Sequence, residues 1–308
     1  MKKDLLSLAD LSAEELWHIL NVALEMKEEW HGGGNQPILM DKSLAMIFQK
    51  PSLRTRVSFE MAMHHLGGKA LYLSPDEIQL GKRESVPDVA RVLSRFVDCI
   101  MARVFSHQDV ETLATYSRVP VINGLSDHSH PCQGLGDLLT ILEKKGQLRQ
   151  LKLAWSGDGN NVLTSLLFGA SKLGMDVAVA TPMGYEPDAD VVERAFDFAK
   201  DSGCEIEIGH NPQTAVKDAD VIYTDVWASM GQETQQAERS KVFPPYQVND
   251  ELLARAKPDA IVMHCLPAHR GAEITDEVAD GPQSALWDQA ENRMHAQKAV
   301  LAILLANK

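Results

Sequence analysis

Short apolar runs alternate with helical patterns along most of this chain, and that alternation restricts its fold more than any other feature. Strand-like runs fall at residues 44–48, 70–73, 99–103 and 120–122, then at 151–155, 176–180, 205–208, 221–223 and 260–263. Helical stretches at about 55–66, 87–96, 107–116 and 131–144, then 162–173, 188–202, 213–217 and 249–256, separate them. Strands linked through helices run parallel, and their unbroken apolar character means that both faces are covered. The expectation is an α/β chain of two doubly wound parallel-sheet domains, which 308 residues also favour on length. The polar stretch 146–150 marks the boundary, giving domains 1–145 and 146–290. Ser12-x-x-Glu15 is a capping box ahead of Leu16, Ile19, Leu20, Ala23 and Leu24, which share one helical face. A last helix at about 291–306 carries Ala296, Val300, Ile303 and Leu304 in one stripe, a pattern that either domain could receive.

Charge and apolar content exclude several classes of function. Lys+Arg total 30 against 43 Asp+Glu, a net −13, so the long-range field repels nucleic acid and anionic membranes. The longest apolar run, 299–306, falls far short of the roughly 20 residues of a membrane span. Asp4, Asp10, Glu14 and Glu15 interrupt any secretory h-region, and a cytoplasmic protein is expected. Cys99, Cys132, Cys204 and Cys265 lie far apart without a C-x-x-C pair, which argues for reduced thiols rather than disulfides or structural zinc. A local basic pocket for a small anion remains compatible with all of this.

Such a pocket is written into residues 48–56. A buried strand runs through a turn into a helix whose first turn holds Ser52, Arg54, Thr55 and Arg56. Exposed backbone N–H groups, the positive dipole end, two guanidiniums and two hydroxyls together make a phosphate site; a solvated, capped helix start is the alternative. His130-Pro131-Cys132-Gln133 opens another helix, where His and Gln can both donate to a carbonyl oxygen. His128, His130 and Cys132 at alternate positions suggest a metal, but a fourth ligand is lacking and Pro131 breaks a regular strand.

Three further segments follow strands of the second half. Gly157-Asp158-Gly159-Asn160-Asn161 is similar to a dinucleotide fingerprint, but Val162 stands where the third glycine belongs and no acidic residue ends the next strand. A tight turn presenting Asn161 to a ligand fits better. Asp225 and Ser229 can take up an ammonium, with Gly231 as a hinge; a surface loop with a capping Asp is the alternative. The polar run 232–241 that follows reads as a long surface loop. His264 and Cys265 are strand neighbours that point to opposite faces, which disfavours a Cys–His hydrolase.

Taken together and in chain order, these segments resemble the aspartate/ornithine carbamoyltransferase family, in its ornithine-directed branch. The resemblance rests on SLRTR (52–56), IQLGKRE (78–84), ARV (102–104), HPCQ (130–133), GDGNN (157–161), DVWASMG (225–231), HCLP (264–267) and ENR (291–293), and spans nearly the whole chain. It implies a carbamoyl phosphate domain, an amino-acid domain, a final helix (291–308) returning to the first domain, and trimers with active sites between subunits. The implied reaction moves a carbamoyl group to the δ-amine of ornithine, giving citrulline and phosphate, with no cofactor or metal. Ser52, Leu53, Arg54 and Thr55 would hold the phosphate, and Arg103 would bridge phosphate and carbonyl. His130 and Gln133 would bind the carbamoyl group, with Pro131 and Cys132 in the same site. Gln79 would reach in from a neighbouring subunit, and Cys265, Leu266 and Arg293 would complete that half. Asn161 and the Met230 backbone would hold the ornithine carboxylate, Asp225 and Ser229 its α-ammonium, and Cys265 would sit beside the reacting amine. Arg54, Arg103, His130 and Cys265 are the expected catalytic groups.

The chain departs from the family pattern at Leu53, where Thr is usual. Aspartate-directed members carry an HPLPR-like segment in place of HCLP and lack the SMG loop. Putrescine- and N-acylornithine-directed members also depart from SMG. Another acceptor, or a non-catalytic phosphate-binding relative, are the alternatives.

Overall fold

A computed structural model describes residues 4–228 and 233–306. They form two compact units: the chain up to Leu139 together with that from Asn292 on, and Thr140–Glu291.

The first unit opens with α1 (Ala13–His31). Ser12 accepts from the Glu15 N–H while Glu15 reaches back to the Ser12 N–H, so the capping box forms as the sequence requires. Leu16, Ile19, Leu20 and Ala23 make its buried stripe, and removing the Ser12 hydroxyl would cost the helix about 0.5–2 kcal/mol. Next come β1 (Ser43–Phe48), α2 (Leu53–His65), β2 (Lys69–Leu73), α3 (Pro75–Ile78), α4 (Val86–Leu93), β3 (Cys99–Arg103), α5 (His107–Tyr116), β4 (Val121–Leu125) and α6 (Pro131–Lys145). The strands pair in parallel in the order β2-β1-β3-β4. Every residue of β3 and all but the first of β1 are buried, as a central strand covered by helices demands, whereas edge strand β2 is half exposed. β4 extends past the expected 120–122, through Asn123 and Gly124. A Cβ on Gly124 would lie 2.4 Å from the Met101 sulfur, so glycine lets this strand keep its place beside β3.

The second unit contains β5 (Lys152–Ser156), α7 (Asn161–Leu173), β6 (Asp176–Ala180), α8 (Ala189–Ser202), β7 (Ile206–Gly209), α9 (Pro212–Ala215), β8 (Val221–Thr224), α10 (Gln236–Val242), α11 (Asp250–Leu253), β9 (Ile261–His264) and α12 (Asp276–Ala279). Its strands are parallel in the order β7-β6-β5-β8-β9. Helix α10 stands over residues 236–241 of the run expected as a loop. Gln, Ala, Glu, Arg and Lys are all good helix formers, and one of them, Arg239, is buried.

The last helix, α13 (Leu286–Leu305), begins five residues before the expected 291. Its later part belongs to the first unit: Lys27 Nζ donates to Asn292 Oδ1 at 2.8 Å, and Lys298 Nζ to Asn35 Oδ1 at 2.6 Å. Both sheets are therefore doubly wound and parallel, and the final helix returns to the first unit. Among the described residues no helix is long and apolar enough to cross a membrane.

Both strand orders reverse at one point, between β1 and β3 in the first unit and between β5 and β8 in the second. Ligands of open α/β sheets bind outside the carboxyl ends of the strands at such a reversal. Residues 48–56 follow β1, Arg103 ends β3, residues 157–161 follow β5 and Asp225 follows β8, so these four segments flank the reversals.

Candidate active site

In the first unit, β1 runs through a short turn into α2, capped by Ser52, whose Oγ accepts from the Thr55 N–H at 3.3 Å. Leu53, the first residue of α2, is 75% exposed, so its side chain contributes nothing to the buried part of the turn. Thr55 is fully buried, and its hydroxyl oxygen accepts from Arg293 Nη2 at 2.9 Å. The approach of α13 that brings Arg293 here depends on Gly136 of α6, where an added Cβ would come within 3.1–3.2 Å of Arg293. Arg103 ends β3 and is 6% exposed; the register against β4 shifts between Ala102 and Arg103, which re-aims that terminal side chain.

His130 stands just before α6 and is 4% exposed. Burial, reinforced by the positive charges of Arg293, Arg103, Lys50 and Arg54, holds its pKa well below the ordinary histidine range. Four cations thus act on one neutral imidazole at the β1/β3 reversal. A group with concentrated negative charge and a carbonyl is the complement of such an arrangement.

The structure alters three details of the sequence reading. Arg56, counted above among the phosphate donors, turns away: its Nε pairs with Glu60 at 2.9 Å and its guanidinium stacks 4.1 Å from the Tyr72 ring centre. Gln133 Nε2 donates to Asp137 at 2.8 Å, and its Oε1 is buried without a partner. Gln133 is therefore an acceptor for an incoming N–H, not a second donor to a carbonyl. Cys132, next to Pro131 at the start of α6, points its thiol at the Asn123 carbonyl, 3.4 Å away, and burial pushes its pKa up to about 12. Only its backbone is available to a ligand. His128 faces the His107 ring, so His128, His130 and Cys132 do not converge on a metal. Gln79 stands on an exposed turn closing α3 at φ 40°, its amide donating to the Asp76 carbonyl at 3.2 Å.

In the second unit, the turn after β5 leads into α7. Asn160 is the cap, with Oδ1 accepting from Val162 N and Leu163 N, and Asn161 is the first helical residue. The Asn160 amide donates to Asp225 Oδ2 at 2.7 Å, across the β5/β8 reversal. The other Asp225 oxygen accepts from the Val226 N–H and from the Cys265 thiol, each at 2.8 Å. A Cβ on Gly159 would lie 2.3 Å from Pro187 N and 2.4 Å from Glu186 C. Protein backbone thus fills the space that a pyrophosphate occupies against a dinucleotide-binding turn, and the nucleotide alternative loses its basis. Ser229 and Met230, predicted to serve this half, lie outside the described residues.

His264 and Cys265 diverge as strand neighbours must. His264 Nε2 meets Glu273 Oε1 at 3.1 Å while Nδ1 accepts from Leu266 N at 2.9 Å, which fixes the proton on Nε2. Asp225, His264 and Cys265 bring ligand-type atoms within 4.8 Å of one another. With both histidine nitrogens engaged and the thiol donating to Asp225, the cluster works as a hydrogen-bond network. Leu266 follows at φ 57°, ahead of a cis Leu266–Pro267 bond.

Sequence reasoning missed Lys50, Asn160, Asp158 and Arg239. Lys50 lies two residues from Ser52 and Asn160 sits inside GDGNN, so both were within reach of a cap-and-charge reading. The Asp158–Arg239 ion pair, 2.9 Å between atoms 81 positions apart, left no sequence signal beyond a helix-forming composition around Arg239.

Two family models divide the chain: the carbamoyl-P binding domain of aspartate/ornithine carbamoyltransferase matches residues 3–143, and its Asp/Orn binding domain residues 149–304. The anabolic ornithine carbamoyltransferase of Pyrococcus furiosus is 60% identical over 303 residues, covering 98% of this chain and 96% of that one. The solved structure of the Pyrococcus furiosus enzyme aligns with a TM-score of 0.96, covering 99% of this chain and 98% of the other. That of the anabolic enzyme of Campylobacter jejuni gives 0.95 at 41% identity, covering all of both chains. On the strength of both matches and of this identity along nearly its full length, the chain belongs to the aspartate/ornithine carbamoyltransferase family.

Proposed function

We propose that this enzyme transfers the carbamoyl group of carbamoyl phosphate to the δ-amine of L-ornithine, releasing L-citrulline and phosphate. The observation that carries the reading is the convergence of Arg293, Arg103, Lys50 and Arg54 on buried His130. The phosphate is held by Ser52, Arg54 and Thr55 with the backbone of Leu53, and Arg103 spans phosphate and carbonyl. His130, kept neutral, donates one N–H to the carbonyl oxygen. Gln133 Oε1 accepts from the carbamoyl NH2, and the Cys132 backbone and Leu266 border that group.

The chemistry asks little of the protein beyond alignment and charge. The δ-nitrogen, after losing its ammonium proton, attacks the carbonyl carbon with its lone pair. The carbonyl oxygen takes negative charge, stabilised by Arg103 and His130. The C–O bond to phosphorus then breaks, the electron pair leaves on phosphate, and phosphate accepts the amine's second proton. Holding the two reactants in line supplies much of the rate, and donors aimed at the developing oxyanion supply the rest. Asp225, oriented by Asn160, takes the α-ammonium with Ser229, and Asn161 with the Met230 backbone takes the carboxylate. The Cys265 proton is committed to Asp225, leaving sulfur lone pairs to accept from the δ-amine.

Leu53 does not argue for a non-catalytic relative, since its side chain is exposed and the helix N–H donors remain. The Pyrococcus furiosus and Campylobacter jejuni relatives are named anabolic, which supports citrulline synthesis as the direction. The working form is a cytoplasmic homotrimer in which Gln79 reaches a neighbouring copy's phosphate, consistent with its exposed turn. Acceptor profiling tests the reading: purified chain with carbamoyl phosphate should carbamoylate ornithine, and leave putrescine, aspartate and N-acetylornithine at background. No citrulline at alkaline pH and high enzyme concentration would overturn it.

A further inference from the structure

Arg239 belongs to none of the motifs that identify the family, and no substrate atom is assigned to it above. It is nevertheless 5% exposed, as is its partner Asp158. The guanidinium lies 2.9 Å from Asp158 Oδ1 through Nη1, which also donates to the Trp227 carbonyl. Nε donates to Gln235 Oε1 at 3.2 Å, and the plane rests 4.7 Å from the Tyr185 ring centre and 5.6 Å from that of Phe243. Asp158 is two residues before Asn160, and Trp227 is two residues after Asp225. One side chain of α10 therefore ties together, from behind, the two segments that meet at the 2.7 Å Asn160–Asp225 hydrogen bond.

We propose that Arg239 is the positioning residue of the amino-acid half: by joining Asp158 to the Trp227 carbonyl it fixes the spacing between the Asn160–Asn161 turn and Asp225. The inference rests on the function proposed above, which assigns Asn161 and Asp225 to the acceptor's carboxylate and α-ammonium. The geometry needs arginine. A forked, planar cation reaches a carboxylate and a carbonyl while stacking between rings, and a lysine ammonium does only part of this. The charged groups that act on Asp158 are Arg239 and Asp225. Burial raises the Asp158 pKa to about 6 against the lowering effect of Arg239, with Asp225 raising it slightly further. The tie is therefore complete at neutral pH and weakens as pH falls through about 6.

L-Norvaline, which keeps the α-amino acid and chain length of ornithine but lacks the δ-amine, reads this half without the titration of the nucleophile. Wild-type turnover is measured first, and failure there sinks the proposed function alone; norvaline binding, followed by calorimetry in the presence of carbamoyl phosphate, still tests the tie. Arg239→Gln should weaken norvaline and raise the ornithine KM by about tenfold or more, with the carbamoyl phosphate KM unchanged within about twofold. The pH below which norvaline binding fails should move upward, because Asp158 loses its cation. Arg239→Lys should fall between the two, and Asp158→Asn should flatten the acid limb. Wild-type norvaline affinity in a folded Arg239→Gln protein would overturn the proposal, as would equal losses for both substrates.

Discussion

The candidate sites of the two units are built on opposite electrostatic plans. Around His130 the first unit gathers Arg293, Arg103, Lys50 and Arg54, and their charge adds to burial in lowering the imidazole pKa. The second unit settles its charges among its own residues: Asp158 with Arg239, His264 with Glu273, Asp225 with Asn160 and Cys265. The difference follows the ligands. A phosphate brings concentrated negative charge and rewards a host that accumulates the opposite sign. A zwitterionic amino acid brings both signs and needs exact distances more than net potential, so its host is a hydrogen-bonded frame with its geometry set in advance.

The strongest way to break this comparison is to remove one charge from each half. Arg54→Gln should lower kcat/KM for carbamoyl phosphate by about 10²–10³-fold, the usual cost of losing one directed donor at developing charge. Asp225→Asn should lower kcat/KM for ornithine by about 10–100-fold, the scale of one hydrogen bond to a charged group, while the carbamoyl phosphate KM stays within about twofold. Steady-state kinetics with each substrate varied in turn would reveal any crossover between these effects, and equal losses for both substrates would erase the distinction.

Packing sharpens it next. Gly159→Ala drives a Cβ to 2.3 Å from Pro187 N, against backbone that cannot yield, whereas Gly136→Ala meets Arg293 at 3.1–3.2 Å. The first substitution should cost about 1–3 kcal/mol by overpacking, lowering Tm by several degrees in a thermal melt. The second should cost less stability but displace Arg293, raising the carbamoyl phosphate KM with little change in Tm.

Acid separates the units by sign. His65, stacked on Trp30, is lowered to about 4 by burial, then by Lys298 and His64. Between its ordinary 6.5 and 4 the unfolded chain binds a proton that the native one refuses, so this group subtracts stability from the first unit as pH falls. His130 acts in the same direction. Asp158, raised from 3.8 to about 6, does the reverse: the native chain holds a proton that the unfolded one releases, which adds stability as pH falls through that window. Amide exchange corrected for intrinsic rates should show α2 and the start of α6 losing protection between pH 7 and 5, with the core strands β5 and β6 of the second unit losing less.

The smallest effect is expected at Leu53. Leu53→Thr adds at most one neutral hydrogen bond, worth about 0.5–1.5 kcal/mol, so the carbamoyl phosphate KM should change by no more than about tenfold. A larger improvement would mean that this exposed position governs the anion site.

The same contrast explains what could be read from sequence. The phosphate turn is legible because Ser52, Arg54 and Thr55 fall within four residues at one helix start, where capping and dipole rules act locally. Arg56 is not legible in the same way, because its pairing with Glu60 and Tyr72 depends on which way the helix faces the edge strand. The alternation of strands and helices made both parallel sheets legible, and the reversal points followed from them. The amino-acid half draws Asp158, Asp225, Arg239 and Cys265 from separate segments, and no spacing rule links them. The polarity of residues 232–241 points to solvent, yet α10 turns one cation, Arg239, inward. Leu286, at the start of α13, packs into the core of the second unit, whereas the stripe legible in the sequence runs from Ala296 onward, so the helix start falls outside that pattern.

Ribosomes build a polypeptide from its first residue onward, and the late origin of Arg293 has a consequence for biogenesis. A nascent chain that has emerged through β4 and α6 already owns Arg54, Arg103 and His130, yet the guanidinium that grips Thr55 is still untranslated. The buried contact that braces the α2 start is therefore supplied by α13, the last helix described, and the turn stays half-built until that helix has been made.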